Sequence, residues 1–125
     1  MKIRKAETAN VWEKHLTEPE NLSLSDMRVL EANYWGPIKR WQMNYSLYEK
    51  GLLESSEWTL VIDQDVTFLF GSDYGRAYWK QVSTGTALPA ELVSYVDAKL
   101  AKSPEANPAR FYESIQNALA KEKEQ

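Results

Sequence analysis

A chain of 125 residues with 43% hydrophobic content is the size of one domain with a core of its own. A net charge of −3 with mixed signs argues against a general nucleic-acid binder. The absence of Cys excludes a disulfide framework and thiolate chemistry. No apolar run approaches the eighteen or so residues that span a bilayer, and no signal-peptide core follows Met1.

Residues 1–5 carry three positive charges and read as a flexible basic N-terminus, or as the flank of a membrane segment that precedes the domain. Residues 6–16 place Ala9, Trp12 and Leu16 on one face of a short first helix. Pro19 disfavours helix at Glu18 and ends it. Ser23 followed by Asp26 resembles a capping box and starts the next helix.

That next helix organises the chain. Met27, Leu30, Tyr34, Ile38, Trp41, Tyr45, Tyr48 and Leu52 recur every three or four residues, which puts them on one face. Gly36-Pro37 falls inside it. The stripe keeps its phase on both sides, so the expectation is a kink at 33–37, with a break into two helices as the rival. Gly51 closes the helix in a left-handed conformation.

Residues 55–70 fit either a helix (Trp58, Val61, Ile62, Val66, Leu69) or a hairpin with Val66, Phe68 and Phe70 alternating. Ser72 or Asp73 caps a short helix over 74–82, and Ser83–Thr86 is a loop. Leu92, Val93, Val96 and Leu100 form the face of a helix begun by Pro89. After a break at Ser103–Asn107, Pro108 opens a last helix lined by Phe111, Ile115 and Leu119, and residues 121–125 form a charged tail.

Four blocks resemble a known pattern in the same order: Val11-Trp12 with Leu16–Ser23, Tyr45–Glu54 followed by Trp58, Gly71–Trp79, and Leu88–Asp97. Over roughly residues 10–100 the chain resembles the helical domain of a widespread group of bacterial proteins of uncharacterised activity. Members of that group usually carry one or two N-terminal transmembrane helices. The resemblance implies helix for 55–70 and a membrane tether before the domain in a full-length protein. It assigns no activity and no site residue. The chain departs from the pattern by lacking the transmembrane segment and by having Gly36-Pro37 where the helix is normally continuous. The fold expected is all-α: a single domain over 1–125, five to six helices in a small bundle, one long kinked helix at the centre.

Chemistry is sparse. His15 is the only histidine, so a transition-metal site or a serine–histidine triad lacks ligands and partners. It reads as a surface residue near the end of the first helix, suited to the helix dipole. Gly71–Gly75 lacks the ending of a phosphate loop. Asp63 and Asp65 point to different faces of a helix; one is a candidate partner for Arg76, and solvated or ion-paired carboxylates are favoured over catalytic acids.

The rings are the remaining resource. Trp35 lies about 100° from Tyr34, and Tyr78 diverges from Trp79 by the same amount, so some of these rings leave the core face. Trp35, Tyr74, Tyr78 and Trp79 are the expected interaction surface, since Trp and Tyr are enriched where interfaces carry their energy. The first reading is therefore a protein-interaction or regulatory module, cytoplasmic or at the inner-membrane face, with a protein partner or self-association, no nucleic acid and no cofactor. The second is a small-molecule binder with a pocket of Tyr45, Tyr48 and Trp58. The third is a hydrolase using Asp63, Asp65 or Glu54, favoured only if two carboxylates face one cleft.

Overall fold

The computed structural model describes residues 2–85, 87–103 and 108–124, with side chains between Asn10 and Lys123. Its elements are α1 (Lys2–Thr17), a 3₁₀ turn (Pro19–Asn21), α2 (Leu24–Glu49), α3 (Ser55–Asp65), a π-helical turn (Val66–Phe70), α4 (Asp73–Gly85), α5 (Ala90–Lys102) and α6 (Pro108–Glu124). The fold is an all-α bundle, and no strand occurs among the described residues. The hairpin rival for 55–70 is thereby excluded.

α2 forms where the sequence placed it. The Ser23 side chain accepts from the Asp26 N–H at 3.1 Å, and the Asp26 carboxylate accepts from the Ser23 N–H at 3.0 Å. At the far end Leu52 N–H donates to the Leu47 carbonyl and Gly51 N–H to Tyr48, with Gly51 at φ +77°, the two bonds of a Schellman stop. The helix runs through Pro37 without stopping. It buries Leu30, Tyr34, Pro37, Ile38, Trp41 and Tyr45; Met27 and Leu52, expected on this face, are exposed.

α3 and the π turn explain the ambiguity of 55–70. Trp58, Ile62, Val66 and Phe70 are all buried, four residues apart. A strict four-residue repeat drifts by about 40° per step on a helix of 3.6 residues per turn. A wider π turn offsets that drift and keeps Val66 and Phe70 on the core side. The turn then packs against α3, α4, α5 and α6.

α4 crosses the turn closely. A Cβ on Gly75 would lie 2.8 Å from the Phe70 Cα and 3.0 Å from the Leu69 carbonyl oxygen, both backbone atoms that cannot swing away. The Ser72 hydroxyl caps α4 by accepting from Gly75 N–H at 3.1 Å. Arg76 ties α4 to the end of α5, donating to the carbonyls of Gly71 (3.0 Å), Leu100 (3.1 Å) and Ser103 (2.6 Å). It does not pair with Asp63 or Asp65.

Several expectations need correction. α1 begins at Lys2, so residues 2–5 are helical rather than a frayed tail; among its described side chains Val11 and His15 are buried and Trp12 and Leu16 half-buried, and the Ala9 side chain lies outside those described. His15, expected at the surface, has 0% exposure. α4 runs on to Gly85 through most of the expected loop, and Thr86 lies outside the described residues. The break expected at Ser103–Asn107 is described only at Ser103, which lies outside the helices; residues 104–107 are outside the described residues. The charged tail expected over 121–125 is helical as far as Glu124, Gln125 lying outside the described residues, and Phe111, Ile115 and Leu119 of α6 are exposed, not core.

Two buried indoles differ in one respect. Trp41 Nε1 donates to Asp65 Oδ2 at 2.8 Å, whereas Trp58 Nε1 is buried with no partner. Trp41→Phe therefore removes the closer donor to a half-buried carboxylate, leaving it only the Arg40 contact at 3.5 Å, while Trp58→Phe removes a donor that has no partner. Trp41→Phe is expected to cost about 1–3 kcal/mol more than Trp58→Phe in urea unfolding; equal losses would contradict the indole–carboxylate contribution. Gly75→Ala should lower stability by more than the ~1 kcal/mol that an alanine normally adds to a helix interior, read in the same assay.

Candidate functional site

A groove lies between the 3₁₀ turn, the start of α2 and the exposed side of α4. It encloses about 450 Å³. Tyr74 and Tyr78, one turn apart on α4, form its floor, their rings stacked at 6.2 Å. Met27 and Val82 close the sides, and Glu20 and Asp73 stand on the rim. Among the described residues, those lining it include no Lys or Arg.

The floor is held from behind. The Tyr34 ring contacts Tyr74 at 5.2 Å and Tyr78 at 5.4 Å. Tyr34 in turn is fixed by His15. A backbone carbonyl can only accept, so the bond between His15 Nδ1 and the Trp12 carbonyl places the ring proton on Nδ1; Nε2 is left to accept from the Tyr34 hydroxyl at 2.7 Å. Burial holds the His15 pKa below its usual value. A neutral imidazole enclosed by Trp12, Tyr34 and Tyr74 rings is a positioning group: it orders the wall on which the groove is built.

The phenols of the groove stay protonated. Burial, then the neighbouring Glu31 carboxylate, pushes both Tyr74 and Tyr78 above the ordinary tyrosine value, and the Tyr78 hydroxyl donates to Glu31 Oε1 at 3.3 Å. Burial raises Tyr34 as well. Their role is shape, apolar area and hydroxyl donors rather than phenolate chemistry.

The expected interaction residues divide. Tyr74 and Tyr78 meet in the groove. Trp35 is half-buried against the core, and Trp79 is buried at 2% exposure with its Nε1 donating to Asp97 Oδ1 at 2.8 Å. Trp79 thus belongs to the core and not to a surface. The expected pocket residues Tyr45, Tyr48 and Trp58 close on one another at 5.0–5.9 Å with Tyr95 against Trp58 at 5.4 Å, a packed ring cluster. Tyr45 donates to Glu91 at 2.9 Å, and that bond pushes its pKa up to about 12.

The carboxylates do not converge. Asp63 accepts from the Tyr95 hydroxyl at 2.5 Å and pairs with Lys99 at 3.3 Å, both on α5, while Asp65 turns to Trp41 and Arg40 on α2. Glu54 caps α3. Among the described residues no group of three His, Asp or Glu side chains is placed to hold a metal ion, and no helix is long and apolar enough to cross a membrane.

Comparison of the chain with protein-family models, with curated proteins and with solved structures finds no match in any of the three.

Sequence reasoning missed His15 because a lone histidine beside Trp12 reads as polar surface. The only sequence signal was its four-residue spacing from Val11. It also missed Glu20 and Pro19, which reach the groove only through the turn after α1.

The buried histidine sets a pH dependence. Its folded pKa lies below the unfolded value near 6.5, so the stability it contributes is present above that value and is lost as pH falls through it. Melting temperature should be flat just above pH 7 and decline between about pH 6.5 and 5, before the carboxylates titrate. His15→Gln, which still accepts from Tyr34 but does not titrate, should abolish that decline. The raised tyrosines act in the opposite window: the stability they contribute is present below about pH 10 and lost above it.

Proposed function

We propose that this chain is a protein-interaction module, and that it binds through the Tyr74–Tyr78 groove. The observation that carries this reading is an open apolar groove with a rigid tyrosine floor on a protein whose other large rings are mostly turned inward. Contiguous apolar surface rimmed by polar groups marks interaction sites, and tyrosine presents area at low entropic cost.

The charge of the rim selects the partner. Glu20 and Asp73 flank the opening and Glu31 sits beside Tyr78, with no cation among the described lining residues. The complementary ligand is a peptide segment with one apolar anchor side chain flanked by Lys or Arg. The acidic rim steers such a segment and excludes acidic ones. A cytoplasmic location, and a tether to the inner membrane in a longer protein, belong to the same proposal and rest on the sequence resemblance alone.

Ala77 lines the groove and is exposed, so Ala77→Arg fills it and offsets part of its negative charge without touching the core. Nine-residue peptides with a central Phe or Leu and Lys/Arg flanks should bind the parent, more weakly as salt is raised. They should bind the Ala77→Arg variant at least tenfold more weakly, with its melting temperature unchanged within about 2 °C. Equal binding of Asp/Glu-flanked peptides, or unchanged binding by the variant, overturns the reading.

A further inference from the structure

The middle of α2 contains a second groove, independent of the tyrosine one. Two irregularities of sequence meet there. Gly36 weakens a helix relative to alanine, yet neither packing nor backbone conformation calls for it. A Cβ built on Gly36 meets nothing within 4 Å, and the only glycine with positive φ among the described residues is Gly51. Pro37 follows and has no N–H, so the Asn33 carbonyl loses its helical donor and is crowded outward by the proline ring.

The opposite wall is also irregular. Phe68 and Leu69 of the π turn face this stretch of α2 across a groove of about 340 Å³. Single π turns inside helices are frequent at functional sites. Trp12 and Phe68 line it, the Phe68 ring also packing on Phe111 at 5.5 Å, and Asp65 and Arg40, paired at 3.5 Å, line it as well. The groove thus combines ring walls, a bare glycine and a backbone acceptor without its regular donor, the mixture of apolar walls and a few placed polar groups that defines small-ligand sites.

We propose that the Gly36–Pro37 groove binds a planar aromatic group bearing an N–H donor, of the indole type, whose N–H takes at the Asn33 carbonyl the place of the one Pro37 lacks. The missing side chain at Gly36 lets the ring lie against the helix backbone, between Trp12 and Phe68. A donor is selected because Pro37 leaves the Asn33 carbonyl without its helical donor, while Asp65 is already taken by Trp41 and Arg40.

The test is ¹⁵N-resolved NMR titration of the full chain with indole, with 1-methylindole as the probe that lacks the donor, and with N-acetyltryptophanamide. Indole should shift the Gly36, Arg40, Asp65 and Phe68 amides, and 1-methylindole should bind at least fivefold more weakly. Binding of N-acetyltryptophanamide at the same amides assigns the site to a tryptophan side chain of a partner; its exclusion assigns it to a free indole-type molecule. Gly36→Ala should raise the melting temperature by roughly 2–5 °C and weaken indole at least fivefold. Equal affinity for indole and 1-methylindole, unchanged indole affinity in Gly36→Ala, or a lower melting temperature in that variant overturns the proposal.

Discussion

The bundle depends on the contact between the π turn and α4, where Gly75 meets the backbone of Phe70 at a separation no side chain allows. Because the two backbones touch, Phe70 is driven inward, where its ring packs on Tyr34 at 5.3 Å and on Trp41 at 5.1 Å. The same contact fixes the rotation of α4. Trp79 is thereby turned into the core, and Tyr74 and Tyr78 are turned toward Tyr34 and the groove. α3, α5 and α6 also rest on this turn, so one local widening of the helix positions most of the molecule.

Around this hub the polar groups of large rings are spent on single, directed hydrogen bonds. Trp41 and Trp79 each give their indole N–H to an aspartate, Tyr45 and Tyr95 give their hydroxyls to Glu91 and Asp63, and Tyr34 gives its own to His15. Each bond adds a modest net stability, but a lost partner leaves a desolvated group, which is the larger effect. Such bonds select one packing of fifteen aromatic residues that could otherwise nest in several ways. Trp58 is the exception, and its unpaired N–H is a cost the ring cluster around it must offset.

Both candidate sites lie where the regular hydrogen-bond ladder is interrupted or a helix ends. The tyrosine groove borders the 3₁₀ turn after α1, and the second groove lies between a proline inside α2 and the π turn. A regular helix offers a ligand only side chains, since its backbone groups bond to each other. Interruptions release backbone groups and open space between helices, which is why binding features gather there. α6 differs from the rest of the bundle: among the described residues its rings meet Phe68 and each other, and its apolar stripe stays exposed.

The sequence by itself determined what depends on neighbours along the chain. The Ser23–Asp26 cap, the Gly51 stop, the buried run from Leu30 to Tyr45 and the helix opened by Pro108 are all local, because helical bonds, caps and stripes are set within a few residues. Tertiary structure decided the matters of which face meets which. His15 became buried because Tyr34 offered its nitrogen a donor, and Trp79 went inward because Asp97 could take its N–H. Tyr74 and Tyr78 became a groove floor because Pro19, Glu20 and Met27 come round to enclose them. The stripe of α6 looked like core and is not, because amphipathicity marks a face that can be buried and says nothing of whether another element arrives to bury it.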